Sequence, residues 1–112
     1  MSGIISDSEI GDIMTTSEAH VATAHANRYL QQLCNHWSHK FVVTFDPENG
    51  RIAFSEGRTV TLAAHQDRLL IPLSSPGADG LGTLEQIVAD HIKRFAFREE
   101  LVFDWVRVGS TP

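Results

Sequence analysis

Hydrophobic and polar residues alternate along this chain with two different periods, and the switches between them mark the elements. From Glu18 to Thr23 the alternation places Ala19, Val21 and Thr23 on one side, which predicts a short first strand. Between Ala26 and His39, Tyr29, Leu30, Leu33, Cys34 and Trp37 recur at i, i+1, i+4, i+5 and i+8, one stripe of an amphipathic helix with no Gly or Pro to interrupt it. After Lys40 the period falls back to two. FVVTF (41–45), RIAF (51–54), TVTLAA (59–64) and RLLIPL (68–73) are β-branched, aromatic or apolar runs. The intervening turn chemistry is Pro47 with Asn49-Gly50, then Gly57, then a short polar His65-Gln66-Asp67. Connections this short favour antiparallel neighbours, so the four runs read as a meander. Pro72 lacks a ladder donor and predicts that the last of them lies at an edge or ends early.

SSPGADGLG (74–82) reads as a loop on its three glycines and one proline. Thr83 followed three residues later by Gln86 matches a capping box, and Leu84, Ile87, Val88, His91, Ile92 and Phe95 then trace one face of a second helix. LVFDWVRV (101–108) predicts a closing strand with Leu101, Phe103 and Trp105 on one side and Val102, Val106 and Val108 on the other. The order β-α-β-β-β-β-α-β describes an α+β two-layer domain, an antiparallel sheet of about six strands with two helices on one face.

At 112 residues, 42% apolar and 21% charged, the chain accommodates one core and not two. The expected organisation is a flexible acidic N-terminal segment (1–16), a single domain (17–108) and a short C-terminal tail (109–112). Asp7, Glu9 and Asp12 carry three of the charges behind the net −5, and Met14 offers an alternative start just before the patterned region. Neither part has the basic footprint of a nucleic-acid binder. A single cysteine excludes an intramolecular disulfide, no basic and apolar leader opens the chain, and no apolar run reaches the ~20 residues of a spanning helix. The expected setting is the cytoplasm, without a membrane partner.

The densest chemistry lies in LCNHWSHK (33–40). On a helix Cys34 and His36 point roughly 160° apart and cannot share an ion, and Cys34 falls in the apolar stripe as a small hydrophobe. His36 and His39 are neighbours on a polar strip that Arg28 and Gln32 extend. Their simplest role, with Lys40, is to meet the negative end of the helix dipole; a ligand or metal is the sharper one. His91 interrupts the second apolar face and needs a hydrogen-bond partner, so His36, His39 and His91 are the candidate metal ligands should they meet across the helix seam. In RFAFREE (94–100), Arg94 and Arg98 either pair with nearby acids or clamp an anionic group, while Phe95 and Phe97 are expected to anchor the helix end in the core. Gly-rich phosphate loops, nucleophile elbows and zincin motifs are absent from the sequence.

Together, RYLQQLCNHWSHK and HIKRFAFREELVFDW resemble a family of small bacterial proteins, domain of unknown function 2218, over about residues 17–107. The match runs through Tyr29, Leu30, Leu33, Cys34, His36, His39 and Lys40, and through His91, Arg94, Phe95, Ala96, Phe97, Arg98 and Glu99. The resemblance implies no established activity and carries a contextual association of some relatives with siderophore and iron handling; the acidic leader departs from the usual length of the family.

The leading expectation is a non-enzymatic binding domain for a small ligand, metal or protein partner, with His36, His39, Lys40, His91, Arg94 and Arg98 at its site. The first rival is a small enzyme with His36 or His39 as general base and an arginine as anion clamp. The second is a homodimeric interaction module that uses an uncovered sheet face at Val42, Val102 and Val106.

Overall fold

A computed structural model describes residues 14–54 and 57–108, with the side chain of residue 108 excepted. Strand β1 (Met14–Ala22) leads into helix α1 (Ala26–Trp37). Strands β2 (Val42–Phe45), β3 (Asn49–Ala53), β4 (Thr59–Ala64) and β5 (Arg68–Pro76) follow, then helix α2 (Ala78–Phe95) and the short strand β6 (Val106–Val108). The predicted order is therefore the observed one. All pairings are antiparallel, and the six-stranded sheet runs β2-β3-β4-β5-β1-β6. The meander occupies one half, and β1 inserts beside β5 along its whole length, from Met14 opposite Pro76 to Ala22 opposite Arg68.

Alternation decides which side of the sheet is buried. Ala19 and Val21 in β1, Ile52 in β3, Val60 and Leu62 in β4, and Leu69, Ile71 and Leu73 in β5 form one buried face. Both helices lie on that face, α1 over β2 to β5 and α2 over β5 and β1. The stripe read from the sequence is the buried side of α1: Ala26, Tyr29, Leu30, Leu33, Cys34 and Trp37. Gly50 of β3 belongs to this contact, because a Cβ there would come within 2.7 Å of the Cys34 sulfur.

Several boundaries differ from expectation, each for a physical reason. Strand β1 begins at Met14, so residues 14 to 16 belong to the sheet; the remainder of the expected leader and the tail at 109–112 lie outside the described residues. Asn49 and Gly50 pair in β3 with Ala63 and Leu62 and are not the turn. The turn is made by Asp46, whose Oδ1 accepts from the backbone N–H groups of Glu48 and Asn49 at 2.8 Å each.

Pro72 sits in a central strand, not at an edge or an end. It pairs with Glu18 of β1, and the β4 ladder steps from Val60–Leu73 to Ala63–Leu70, passing over the position where a proline cannot donate. The expected loop 74–82 is divided between the end of β5 and the first turns of α2, with Gly77 at φ +82° as the only break. Leu81 is fully buried and extends the apolar stripe one turn upstream of Leu84, which outweighs the roughly 1 kcal/mol that each helical glycine costs. The Thr83–Gln86 pair is therefore inside the helix and caps nothing: Thr83 donates to the Asp79 carbonyl at 3.2 Å, and Gln86 to Asp90 at 3.0 Å.

The closing strand is shorter than its pattern. Only residues 106 to 108 pair, with Glu18 to Thr16 of β1. Leu101 is buried, while Phe103 and Trp105 are half-buried with their rings 6.2 Å apart, so the alternation persists without a ladder. Phe97 points outward at 79% exposure instead of anchoring the helix end, whereas Phe95 packs on the core.

Candidate functional site

The end of α1, the last turns of α2 and the hairpin after β3 enclose a hollow of about 550 Å3. Trp37, the last residue of α1, is its keystone. Its ring meets His91 at 4.8 Å and stands edge-on to Phe54 at 4.9 Å, and Phe54 in turn stacks on Phe41 at 4.3 Å. His36 lies one residue back along α1, its ring centre 5.2 Å from His91 and 6.0 Å from Phe95. His39, Lys40 and Arg58 complete the lining, with the Arg58 guanidinium 5.8 Å from the centre of the Phe54 ring. The walls are aromatic and the rim is cationic, with no carboxylate among the described residues of the lining.

The histidines differ in what holds them. A ring nitrogen of His91, Nδ1, is 2.8 Å from the Ile87 carbonyl oxygen one turn earlier in α2, which makes it the donor and leaves Nε2 as the other ring nitrogen. His36 is held below its ordinary 6.5 first by desolvation, then by the positive charges of His91, His39, Lys40 and Arg94. Among the described residues, no three His, Cys, Asp or Glu side chains are placed to hold a metal ion together.

Of the six residues expected at one site, His36, His39, Lys40 and His91 line this hollow, but α1 ends at Trp37 and not at His39, so His39 and Lys40 reach it from the turn after the helix and not from a shared helical strip. Arg94 is exposed on α2 outside the lining, although its charge reaches His36. Arg98 lies elsewhere, in a second hollow of about 530 Å3 between the start of α1 and the end of α2. There Tyr29 and Thr23 both donate to the same oxygen of Glu99, Oε2, the Thr23 bond measuring 3.0 Å. Burial and the Glu99 bond push the Tyr29 phenol up to about 12, and the Tyr29 hydroxyl holds the Glu99 carboxyl below its usual range.

Cys34 is fully buried, its thiol pushed up to about 11 by desolvation, and it takes part in neither hollow. A larger depression of about 750 Å3 follows the first turns of α2, but the arginine beside it, Arg107, is bound to Glu85 through two hydrogen bonds of 3.0 and 3.2 Å. Trp37 and Ile87, expected only as core residues, and Phe41, Phe54 and Arg58 are the pocket residues that sequence reasoning missed. Phe54 and Arg58 flank the β3–β4 connection, which only strand pairing brings beside the end of α1, whereas Phe41 follows the helix directly, its N–H donating to the Trp37 carbonyl at 2.9 Å.

The fold and the paired hollows define a small α+β domain with a helix pair over one face of an antiparallel sheet and a cationic, aromatic seam between the helices. Residues 18–106 match the model of a family described as uncharacterized protein conserved in bacteria, DUF2218, and the chain belongs to that family. Three chains of solved structures match as well. One of them, the NMR structure of PA4090 from Pseudomonas aeruginosa, is 42% identical, with a TM-score of 0.71 over 82% of this chain and 95% of its own. No curated protein matches. Among the described residues no helix is long and apolar enough to cross a membrane.

Proposed function

We propose that this chain is a non-catalytic binding domain whose hollow at the end of α1 takes a small anion with a planar, apolar part. The observation that carries the reading is the composition of that hollow: His36, His39, His91 and Lys40 gather around Trp37, Phe41 and Phe54, with no carboxylate among the described residues of the lining, on a chain of net charge −5. Cations that gather against the net charge of their own protein favour an anionic guest, and the aromatic wall favours a flat one. A volume of about 550 Å3 suits a ligand of modest size. The iron-handling association that the family resemblance carries makes a catecholate one member of this class. A general base would need a carboxylate to orient its imidazole; His36, His39 and His91 have none among the described residues, which favours binding over catalysis.

An interface between two copies draws on the exposure of Val42 and Val102, 73% each, and Val106, 55%. Val42 and Val106 stand on the two outermost strands, roughly 24 Å apart at the usual strand spacing, and so form no single apolar patch.

Titration of the 15N-labelled chain with benzoate, 2,3-dihydroxybenzoate, acetate and inorganic phosphate tests the anion reading. The aromatic carboxylates are expected to shift the resonances of His36, Trp37, His39, Lys40 and His91 and to bind tenfold or more tighter than acetate. His36→Ala/His39→Ala should weaken them by a similar factor. Absence of any shift at these residues up to roughly 10 mM, the weak limit of specific affinity, would overturn it.

A further inference from the structure

The second hollow contains a fixed negative charge, which the described lining of the first lacks. Arginines beside a glutamate ordinarily close onto it as an ion pair. Here Arg28 and Arg98 line the same hollow as Glu99, yet neither pairs with it or with any other acid among the described residues. Glu99 is instead oriented by two neutral hydroxyls, from Tyr29 and Thr23, that share one carboxylate oxygen. An ionised carboxylate offers about four acceptor sites, so Oε1 keeps its capacity while the side chain is locked. The apolar side of the hollow is formed by Phe95 and by Phe97, which is 79% exposed with the Arg98 guanidinium 5.4 Å from its ring centre. A wide-open phenylalanine beside separated, unneutralised charges of both signs describes a site for a molecule that carries both.

We propose that this hollow binds a small zwitterion of the α-amino-acid type, its ammonium on Glu99, its carboxylate between Arg28 and Arg98, and an apolar side chain on Phe95 and Phe97. The site is independent of the anion pocket, since their linings share no residue.

Three probes separate the charges: L-phenylalanine, N-acetyl-L-phenylalanine, which has no ammonium, and L-phenylalaninamide, which has no carboxylate. Titrated into the 15N-labelled full chain, L-phenylalanine is expected to shift Arg28, Gln32, Phe97 and Glu99, and each blocked analogue to bind tenfold or more weaker, the usual effect of losing a charge-assisted hydrogen bond. Glu99→Gln keeps an acceptor for Tyr29 and should erase the preference over the N-acetyl analogue. Arg98→Ala, at an exposed position that leaves the fold intact, should erase the preference over the amide. Equal binding of all three probes would overturn the proposal, as would an unchanged spectrum at this hollow or shifts confined to His36, His39 and His91.

Discussion

Gly50 and Cys34 show how a single atom sets the distance between helix and sheet. The sulfur of Cys34 occupies the space that a Cβ at position 50 would need, 2.7 Å away, with Phe45 Cβ at 3.4 Å. Gly50→Ala is therefore expected to destabilise the chain by about 1 to 3 kcal/mol, as overpacking does. In combination with Cys34→Ala the loss should be less than additive, which a double-mutant cycle in urea measures. Ser17 presents the opposite case. It is buried at 1% exposure and its Oγ has no partner among the described residues. Ser17→Ala removes a desolvated hydroxyl, and a gain of about 1 kcal/mol in unfolding free energy is expected.

Between elements, the bonds from Thr23 and Tyr29 to Glu99 tie the entry and first turn of α1 to the segment that follows α2. Because the folded state holds Glu99 below its ordinary 4.5, its contribution to stability is present above that value and is lost as pH falls through the lower folded value. Glu99→Gln should flatten the acid limb of a stability-against-pH curve. The Tyr29 phenol acts at the other end: raised from 10.0 to about 12, it loses its contribution as pH rises between those values. In the anion pocket the sign favours acid. His36 should titrate below 6.5 in the free chain by NMR, and a bound aromatic carboxylate should raise that midpoint, so affinity increases as pH falls. An unchanged midpoint in the presence of saturating benzoate would argue against contact with His36. The elements that differed from their sequence pattern did so where packing outweighs local preference. Leu81 draws a glycine-rich stretch into α2, and β1 and β4 flank a proline-bearing strand on both sides.

At the scale of the whole molecule, five of the nine Lys and Arg side chains gather at or beside the two hollows. Arg28, Lys40, Arg58, Arg94 and Arg98, with His25, His36, His39 and His91, belong to the two hollows along the helix seam or lie beside them, although the chain as a whole is acidic. Local attraction thus competes with net repulsion, and the local term is the one salt screens at short range. Raising ionic strength from low salt to roughly 1 M, where the Debye length is near 3 Å, should weaken benzoate binding severalfold. A salt-independent dissociation constant would assign the affinity to ring burial alone. What the sequence determined by itself was the element order, the two-layer class and the buried stripe from Tyr29 to Trp37, because period and burial are local properties written into every turn. The expected helical neighbourhood of His36 and His39 did not hold, because α1 ends at Trp37 and His39 lies in the turn that follows it; the two share a hollow through that turn and not through i, i+3 geometry. Tertiary structure alone decided that His91 meets His36, that Arg58 and Phe54 close the same pocket, and that Arg98 belongs with Glu99 and Tyr29 in another. Those contacts join residues far apart in the chain, and their distances depend on strand order and on how α1 and α2 seat on the sheet, which no local period encodes.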